Sequence, residues 1–259
     1  MRLGFDDNPQ AAYDSGSQQA RVSTEGWVAR EMFCASCGSP SLTKLPNNSP
    51  LADFACPVCA EQYELKSKRG RSLGTTIADG AYSTKIARLT SSTNPHLMVL
   101  NYDLRARAVR NVCLVPKHFF VPEIIEARPE LKRPARRAGW RGSNILIGRV
   151  PEAGRIFVLR NGIAEAKDAV LAKWKSTLFL RRTSIDGRGW LIEVMKAVEM
   201  IGRRDFTLED VYAFEARLAE IYPKNNNVRP KIRQQLQVLR DNGFLEFKGR
   251  GTYRLRPAV

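Results

Sequence analysis

Histidine is nearly missing from this chain, with two in 259 residues, and acidic side chains are scarce beside basic ones, 26 Asp and Glu against 42 Lys and Arg. The two histidines, His96 and His118, stand too far apart in sequence to suggest a histidine metal cage or dyad, and both read as ordinary turn or strand-edge residues. No apolar run approaches the roughly 20 residues that a membrane span requires. The opening "MRLGFDDNPQ" has no apolar stretch of the kind a secretory leader carries. A cytoplasmic protein without a membrane partner is therefore expected. The formal net charge of +16 points to a large anionic partner, with nucleic acid ahead of acidic lipid. What the chain does have is 43% hydrophobic residues, enough for one large or two modest domains with cores.

Cysteines number five, and in a reducing compartment disulfides do not account for them. Cys34, Cys37, Cys56 and Cys59 form two C-x2-C pairs with eighteen residues between them, a spacing that suits a tetrahedral four-thiolate zinc site. Four thiolates leave zinc no open position for chemistry, so the predicted ion is structural. Cys113, in the apolar run "NVCLVP", reads as a core residue of a strand.

The second pair sits in the turn of a predicted hairpin, "LADFAC" then "EQYELKSK". Alternation along the second strand sends Tyr63 and Leu65 to one face and Gln62, Glu64 and Lys66 to the other. Asp53, near the end of the first strand, returns to that same face, because paired strands lie about 4.8 Å apart. Two carboxylates suit a hard cation such as magnesium, one or two ions of which can bridge to a phosphate. A lysine beside them can orient or activate a water and offset developing negative charge. A Glu-x-Lys pair alone is common on solvated strands; an aspartate upstream on an apolar strand, in a strongly basic chain, makes it a candidate catalytic triplet of Asp53, Glu64 and Lys66. This pattern resembles the PD-(D/E)xK nuclease superfamily, whose core is a mixed sheet flanked by helices, although Ala52 precedes the aspartate and the nearest proline is Pro50.

Beyond the basic "KSKRGR", the stretch "TTIADGAYSTKIARLTSS" has Ile77, Ile86 and Leu89 at loosely helical spacing, with Thr75 or Thr76 as N-cap. The runs "HLMVLNYD", "RNVCLVP" and "GRIFVLRN" have the length and boundaries of strands. "LKRPARRAGWRGSN" carries Lys132, Arg133, Arg136, Arg137 and Arg141 without an acidic residue and reads as a phosphate-contacting loop. Within it Trp140 is either a plug beneath the loop or a ring offered to a base.

From about residue 182 the pattern becomes helical. "RGWLIEVMKAVEMIG" places Leu191, Val194, Met195, Val198 and Ile201 on one stripe closed by Gly202. "FTLEDVYAFEARLAEIYP" opens on a capping-box-like Thr207 and Asp210. "RPKIRQQLQVLRDNG" buries Ile232, Leu236 and Leu239 and offers Arg229, Lys231, Arg233, Gln234 and Gln237, and "FLEFKGRGTYRL" is a hairpin with Lys248 and Arg250 at its tip. Three helices followed by a hairpin is the order of a winged helix, in which the third helix enters the major groove and the wing meets the backbone. Residues 182–259 hold 15 Lys and Arg against 10 Asp and Glu, which favours DNA over protein as its target. The expected fold class is thus an α/β PD-(D/E)xK nuclease core with a structural zinc site (residues 1–181), followed by an α+β winged-helix domain (182–259).

"ARRAGW", "FTLED", "KIRQQLQVLRD" and "EFKGRG", together with the four cysteines and "ELKSK", resemble the DpnI-like methyl-directed restriction endonucleases over nearly the whole chain. That resemblance implies a type II (IIM) enzyme that cuts adenine-methylated double-stranded DNA at GATC with magnesium, each domain reading the methylated sequence. It implies Asp53, Glu64 and Lys66 as the catalytic triplet, with Asp53 and Glu64 on the metal, and Cys34, Cys37, Cys56 and Cys59 as zinc ligands. It also puts Trp140 of the "RAGW" loop against the modified adenines, with Arg136 and Arg137 beside it among the DNA-binding residues. A monomer free in solution is expected. "NNNVRPKI" departs from the family pattern at the start of the third helix. Two other readings remain open: a non-catalytic winged-helix regulator and a repair nuclease of other specificity.

Overall fold

The computed structural model describes residues 1–6, 15–47, 49, 52–89, 91 and 93–256. Helix α1 (Gly16–Glu31) leads into strands β1 (Thr43–Lys44), β2 (Phe54–Ala55), β3 (Gln62–Arg69) and β4 (Ile77–Ala81) and the short helix α2 (Tyr82–Arg88). Strands β5 (His96–Asp103), β6 (Ala108–Val115), β7 (Ile125–Ala127), β8 (Gly142–Ile145), β9 (Ile156–Arg160) and β10 (Ile163–Ala164) follow, then helix α3 (Lys167–Ser176). The C-terminal part runs α4 (Ile185–Ile201), β11 (Asp205–Thr207), α5 (Leu208–Tyr212), α6 (Glu215–Ile221), α7 (Val228–Asp241), β12 (Leu245–Gly249) and β13 (Thr252–Leu255). These elements form two compact units, residues 1–77, 90–117 and 154–175 in one and 78–89, 118–153 and 176–259 in the other.

The first unit is built on a seven-stranded mixed sheet in the order β1-β2-β3-β5-β6-β9-β10. Its single parallel pair, β3 with β5, runs from Tyr63 opposite His96 to Arg69 opposite Tyr102. Strand β5 is "HLMVLNYD", buried at seven successive positions, because a central strand is covered on both faces and needs no polar alternation. Met98, Val99, Leu100, Val112, Leu114, Val115 and Leu159 are buried here, as are Trp27 and Val28 of α1 and Trp174 of α3. Cys113 is buried in β6, as its apolar neighbours predicted.

The second unit carries two three-stranded sheets. One has the order β4-β8-β7, and the other, β11-β13-β12, belongs to the winged helix. The "TTIADGAYSTKIARLTSS" segment is not one helix: residues 77–81 extend along β8, and only Tyr82–Arg88 coil. Gly80 and the β-side pairing decide this, since the Ser143 hydroxyl donates to the Gly80 carbonyl at 3.0 Å. Its Thr90 and Ser92 lie outside the described residues, as do Pro50 and Leu51 of the first hairpin strand. The winged helix follows its expected order. Helix α4 closes on Gly202 at φ +68, a left-handed position that glycine adopts without a Cβ penalty. The Thr207–Asp210 capping box is formed in both directions. The second predicted helix is broken at Ala213 and Phe214 into α5 and α6. Ile232, Leu236 and Leu239 of α7 are buried, and so is Gln235.

Candidate active site and nucleic-acid interface

Asp53 stands at the bend entering β2. Its N–H donates to the Tyr63 carbonyl at 2.9 Å, and its own carbonyl accepts from the N–H of Leu45 at 2.8 Å, so the backbone is tied on both sides. Phe54 pairs with Tyr63 and Ala55 with Gln62, which brings Asp53, the residue before Phe54, beside the β3 residues that bond it. The Asp53 Oδ2 accepts the Leu65 N–H at 2.7 Å, which holds its carboxylate beside the strand between Glu64 and Lys66. Lys66 Nζ lies 2.8 Å from Glu64 Oε1, and both side chains remain partly exposed at 28% and 19%. Burial lifts the Asp53 carboxyl above its ordinary range, Glu25 and Glu64 lift it further, and the Leu65 N–H and Lys66 oppose them. A negative potential concentrated on paired carboxylate oxygens is a setting for a hard divalent cation.

Glu25 was not legible in the sequence. It lies on α1, whose apolar residues follow no clear stripe, and it is buried, with Oε1 accepting from Arg21 Nε at 2.6 Å and Oε2 held by Lys44 Nζ at 2.8 Å. The one available signal was an acidic residue two positions before Trp27 and Val28 in a strongly basic chain.

Cys34, Cys37, Cys56 and Cys59 bring their sulfurs together within 4.8 Å, and among the described residues they form the only such group of three or more Cys, His, Asp or Glu ligand atoms. Cys34 Sγ is 3.6 Å from Cys59 Sγ and Cys37 Sγ 3.5 Å from Cys56 Sγ. Tetrahedral Zn–S bonds of about 2.3 Å imply S···S separations of about 3.8 Å, so the cluster fits zinc. The N–H groups of Val58 and Cys59 point at Cys56 Sγ at 3.4 and 3.5 Å. Burial raises that thiol, but these donors and the neighbouring cysteines outweigh it and bring it down to about 6, whereas burial holds Cys34 and Cys59 above the ordinary thiol value. The cluster also reaches the candidate active strand. The Tyr63 hydroxyl lies 3.3 Å from Cys34 Sγ, and Tyr63 immediately precedes Glu64.

His96 opens β5, at the strand's end as expected, yet it is fully buried. Its Nδ1 accepts the Lys117 N–H at 2.9 Å, so Nε2 faces Glu61 at 2.8 Å, and its ring meets Trp174 edge-on at 4.6 Å. His118 is likewise buried, with Nε2 2.8 Å from the Thr177 hydroxyl.

In the second unit, the "RAGW" loop closes on itself. The Leu131 N–H donates to the Trp140 carbonyl at 3.0 Å, and the Gly139 N–H to the Leu131 carbonyl at 2.8 Å. Trp140 is half-exposed, with the Arg137 guanidinium 5.5 Å from the ring centre. Its ring lies against Gly142, where any Cβ would come within 2.9 Å of ring carbons, so glycine is the residue that seats it. Lys132, Arg133, Arg136, Arg137 and Arg141 are exposed.

Helix α7 turns Arg229, Arg233, Gln234 and Gln237 outward and leaves Lys231 half-exposed. Arg229 pairs with Glu215 at 2.7 Å and lies over the Tyr212 ring at 4.8 Å, and Arg233 donates to the hydroxyl of the same tyrosine. Tyr212 thus orders two cations one turn apart, an arrangement that spacing along α7 alone did not reveal. Lys231 Nζ donates to Gln234 Oε1 at 2.8 Å. A hollow of about 540 Å³ opens at the start of the helix, lined by Lys224, Asn225, Asn226, Asn227, Pro230, Lys231 and Gln234. At the wing tip Gly249, Arg250 and Gly251 all have positive φ, and Arg250 is exposed, while Lys248 pairs with Glu246 at 2.7 Å.

The first unit is a mixed α/β sheet with a four-cysteine cluster and the second ends in a winged helix, a DNA-binding class of architecture. The chain matches the Dam-replacing family over residues 1–183 and the Dam-replacing HTH domain over residues 186–255, and it belongs to that family of methyl-directed restriction enzymes. No helix among the described residues is long and apolar enough to cross a membrane.

Proposed function

We propose that this chain is a magnesium-dependent type II (IIM) endonuclease that hydrolyses double-stranded DNA at GATC sites carrying N6-methyladenine. The observation that carries the reading is the Leu65 N–H on Asp53 Oδ2 at 2.7 Å, on the strand where Lys66 Nζ lies 2.8 Å from Glu64. Asp53 and Glu64 are the residues that would hold one or two magnesium ions, whose contribution is Lewis-acid stabilisation of negative charge on the scissile phosphate. Lys66 orients the attacking water and offsets charge on the phosphorane-like transition state. The Leu65 N–H keeps the Asp53 carboxylate from turning away.

Arg136, Arg137 and the wing cations Lys248 and Arg250 meet backbone phosphates, contacts that fix register and make affinity fall with salt. Arg229, Lys231, Arg233, Gln234 and Gln237 face the major groove, where Gln suits adenine and Arg suits guanine. Trp140 offers its exposed edge to the modified adenine. In this reading residues 1–181 form the zinc-bearing catalytic domain and residues 182–259 the winged-helix reader, and the free enzyme is a cytoplasmic monomer. Burying one methyl group contributes about 0.8 kcal/mol, roughly fourfold. Discrimination therefore also requires misfit of the unmodified base.

One plasmid, prepared with and without adenine methylation and digested with and without EDTA, tests the proposal. Magnesium-dependent cutting of the methylated form alone is expected. Equal cutting of both forms, or none of either, would overturn it.

A further inference from the structure

The buried carboxylate of Glu25 is fully engaged, one oxygen by Arg21 at 2.6 Å and the other by Lys44 at 2.8 Å. Its partners are not buried: their side chains are 48% and 42% exposed. Both lie close to the candidate catalytic aspartate. Lys44 is opposite Phe54, next to Asp53, in the β1–β2 pair, and the neighbouring Leu45 N–H donates to the Asp53 carbonyl at 2.8 Å. Arg21 and Asp53 also influence each other electrostatically. The ion pair with Glu25 uses one of the five N–H donors of a guanidinium and one of the three of an ammonium, leaving most of each group's donor capacity for another anion. Glu25, Asp53 and Glu64 do not form a cluster of three ligand oxygens within metal-binding reach, unlike the four cysteines.

We propose that Arg21 and Lys44 form a clamp for a DNA backbone phosphate beside the Asp53–Glu64–Lys66 centre, and that Glu25 is a positioning residue that holds the clamp rather than a ligand of the catalytic metal. This rests on the endonuclease reading above. Glu25 fixes two long side chains that would otherwise lose conformational freedom on meeting the phosphate, so their contact with DNA is ordered in advance.

The test uses the full chain and a labelled, adenine-methylated GATC duplex, with binding measured against salt concentration in buffer without added magnesium. Lys44→Ala and Arg21→Ala should each flatten the plot of log affinity against log salt by about 0.9, the value of one lost phosphate contact. Lys44→Arg, which keeps the charge, should restore the slope. Glu25→Gln should lower the single-turnover rate at saturating magnesium while leaving the magnesium concentration for half-maximal cleavage unchanged. Each alanine variant leaves one oxygen of the buried Glu25 carboxylate without its partner, so melting curves check that the variants fold at the temperature of the binding assay. Unchanged slopes for both alanine variants would overturn the clamp, and a tenfold or larger rise in the magnesium requirement of Glu25→Gln would overturn the positioning role by making Glu25 a metal ligand. Failure of the unsubstituted chain to cut would sink the endonuclease reading separately, because the salt slopes are measured without cleavage.

Discussion

The backbone N–H of Leu65 donates to Asp53 Oδ2 at 2.7 Å, so the strand that carries Glu64 and Lys66 also aims the aspartate between them. A single hydrogen bond from main chain to side chain thereby links the two halves of a motif separated by ten residues in sequence. The same contact makes one substitution unusually clean. Asn in place of Asp53 retains a carbonyl oxygen to accept from Leu65, so Asp53→Asn should keep the fold and the affinity for DNA. Loss of the carboxylate charge should nevertheless cut the single-turnover cleavage rate by about 10²–10³-fold or more, the scale seen when one preorganised electrostatic group is removed. Lys66→Ala should have a similar effect. Rates on a fully methylated duplex, paired with binding measured without magnesium, check both. A variant that loses binding and cleavage in parallel would place these side chains in the scaffold instead.

The four-cysteine cluster should hold one zinc per chain, measured by elemental analysis of protein purified without added metal. Its removal is expected to reach the candidate active strand by two routes, the Tyr63 hydroxyl at Cys34 Sγ and the Cys56 N–H on the Glu61 carbonyl at 2.9 Å. Structural zinc contributes its binding energy directly to folding. Cys56→Ser should therefore lower the melting temperature by several degrees, at about 2–4 °C for each kcal/mol in a chain of this size. A zinc-selective chelator should abolish cleavage in the presence of excess magnesium, and restored zinc, not more magnesium, should recover it. Retention of full activity at zero zinc content would refute the structural assignment.

Much of this site is written in local chemistry. The cysteine spacing, the alternation along "EQYELKSK" and the apolar run "HLMVLNYD" each specify an element from its own residues, and β3 and β5 lie where those patterns put them. Glycine and a capping box fix both ends of the α4 to α5 connection in the same local way. What escaped was set by tertiary partners. Residues 77–81 have no strong propensity of their own and become a strand because β8 offers a ladder. Glu25 has no local signature, since its role comes from Arg21 one turn away and from Lys44 on a strand that the sequence did not announce. Tyr212 orders Arg229 and Arg233 across two helices, and His96 is buried because Glu61 and Trp174 surround it. Periodicity reports which face is buried; it does not report which polar groups meet there.

Glu193 provides a pH test inside the second unit. It is 3% exposed on α4, and Arg217 Nη2 approaches it at 3.4 Å. Burial raises its carboxyl pKa, and the opposing pull of Arg217 and Arg149 does not cancel that rise. A carboxyl whose folded pKa exceeds its unfolded value favours the folded state below the unfolded value, about 4.3, and that contribution is lost as pH rises through the folded value. At neutral pH the ionised Glu193 is thus a net burden on folding. Glu193→Gln keeps the shape and an acceptor for Arg217 while removing the buried charge. Its melting temperature should exceed that of the unsubstituted chain at pH 7–8, by about 2–4 °C for each kcal/mol recovered. The advantage should shrink as pH falls toward 4.3, because the native carboxyl then becomes neutral as well. Melting curves recorded across that range decide the matter: a variant less stable at neutral pH would show that the pair with Arg217 outweighs the cost of burial.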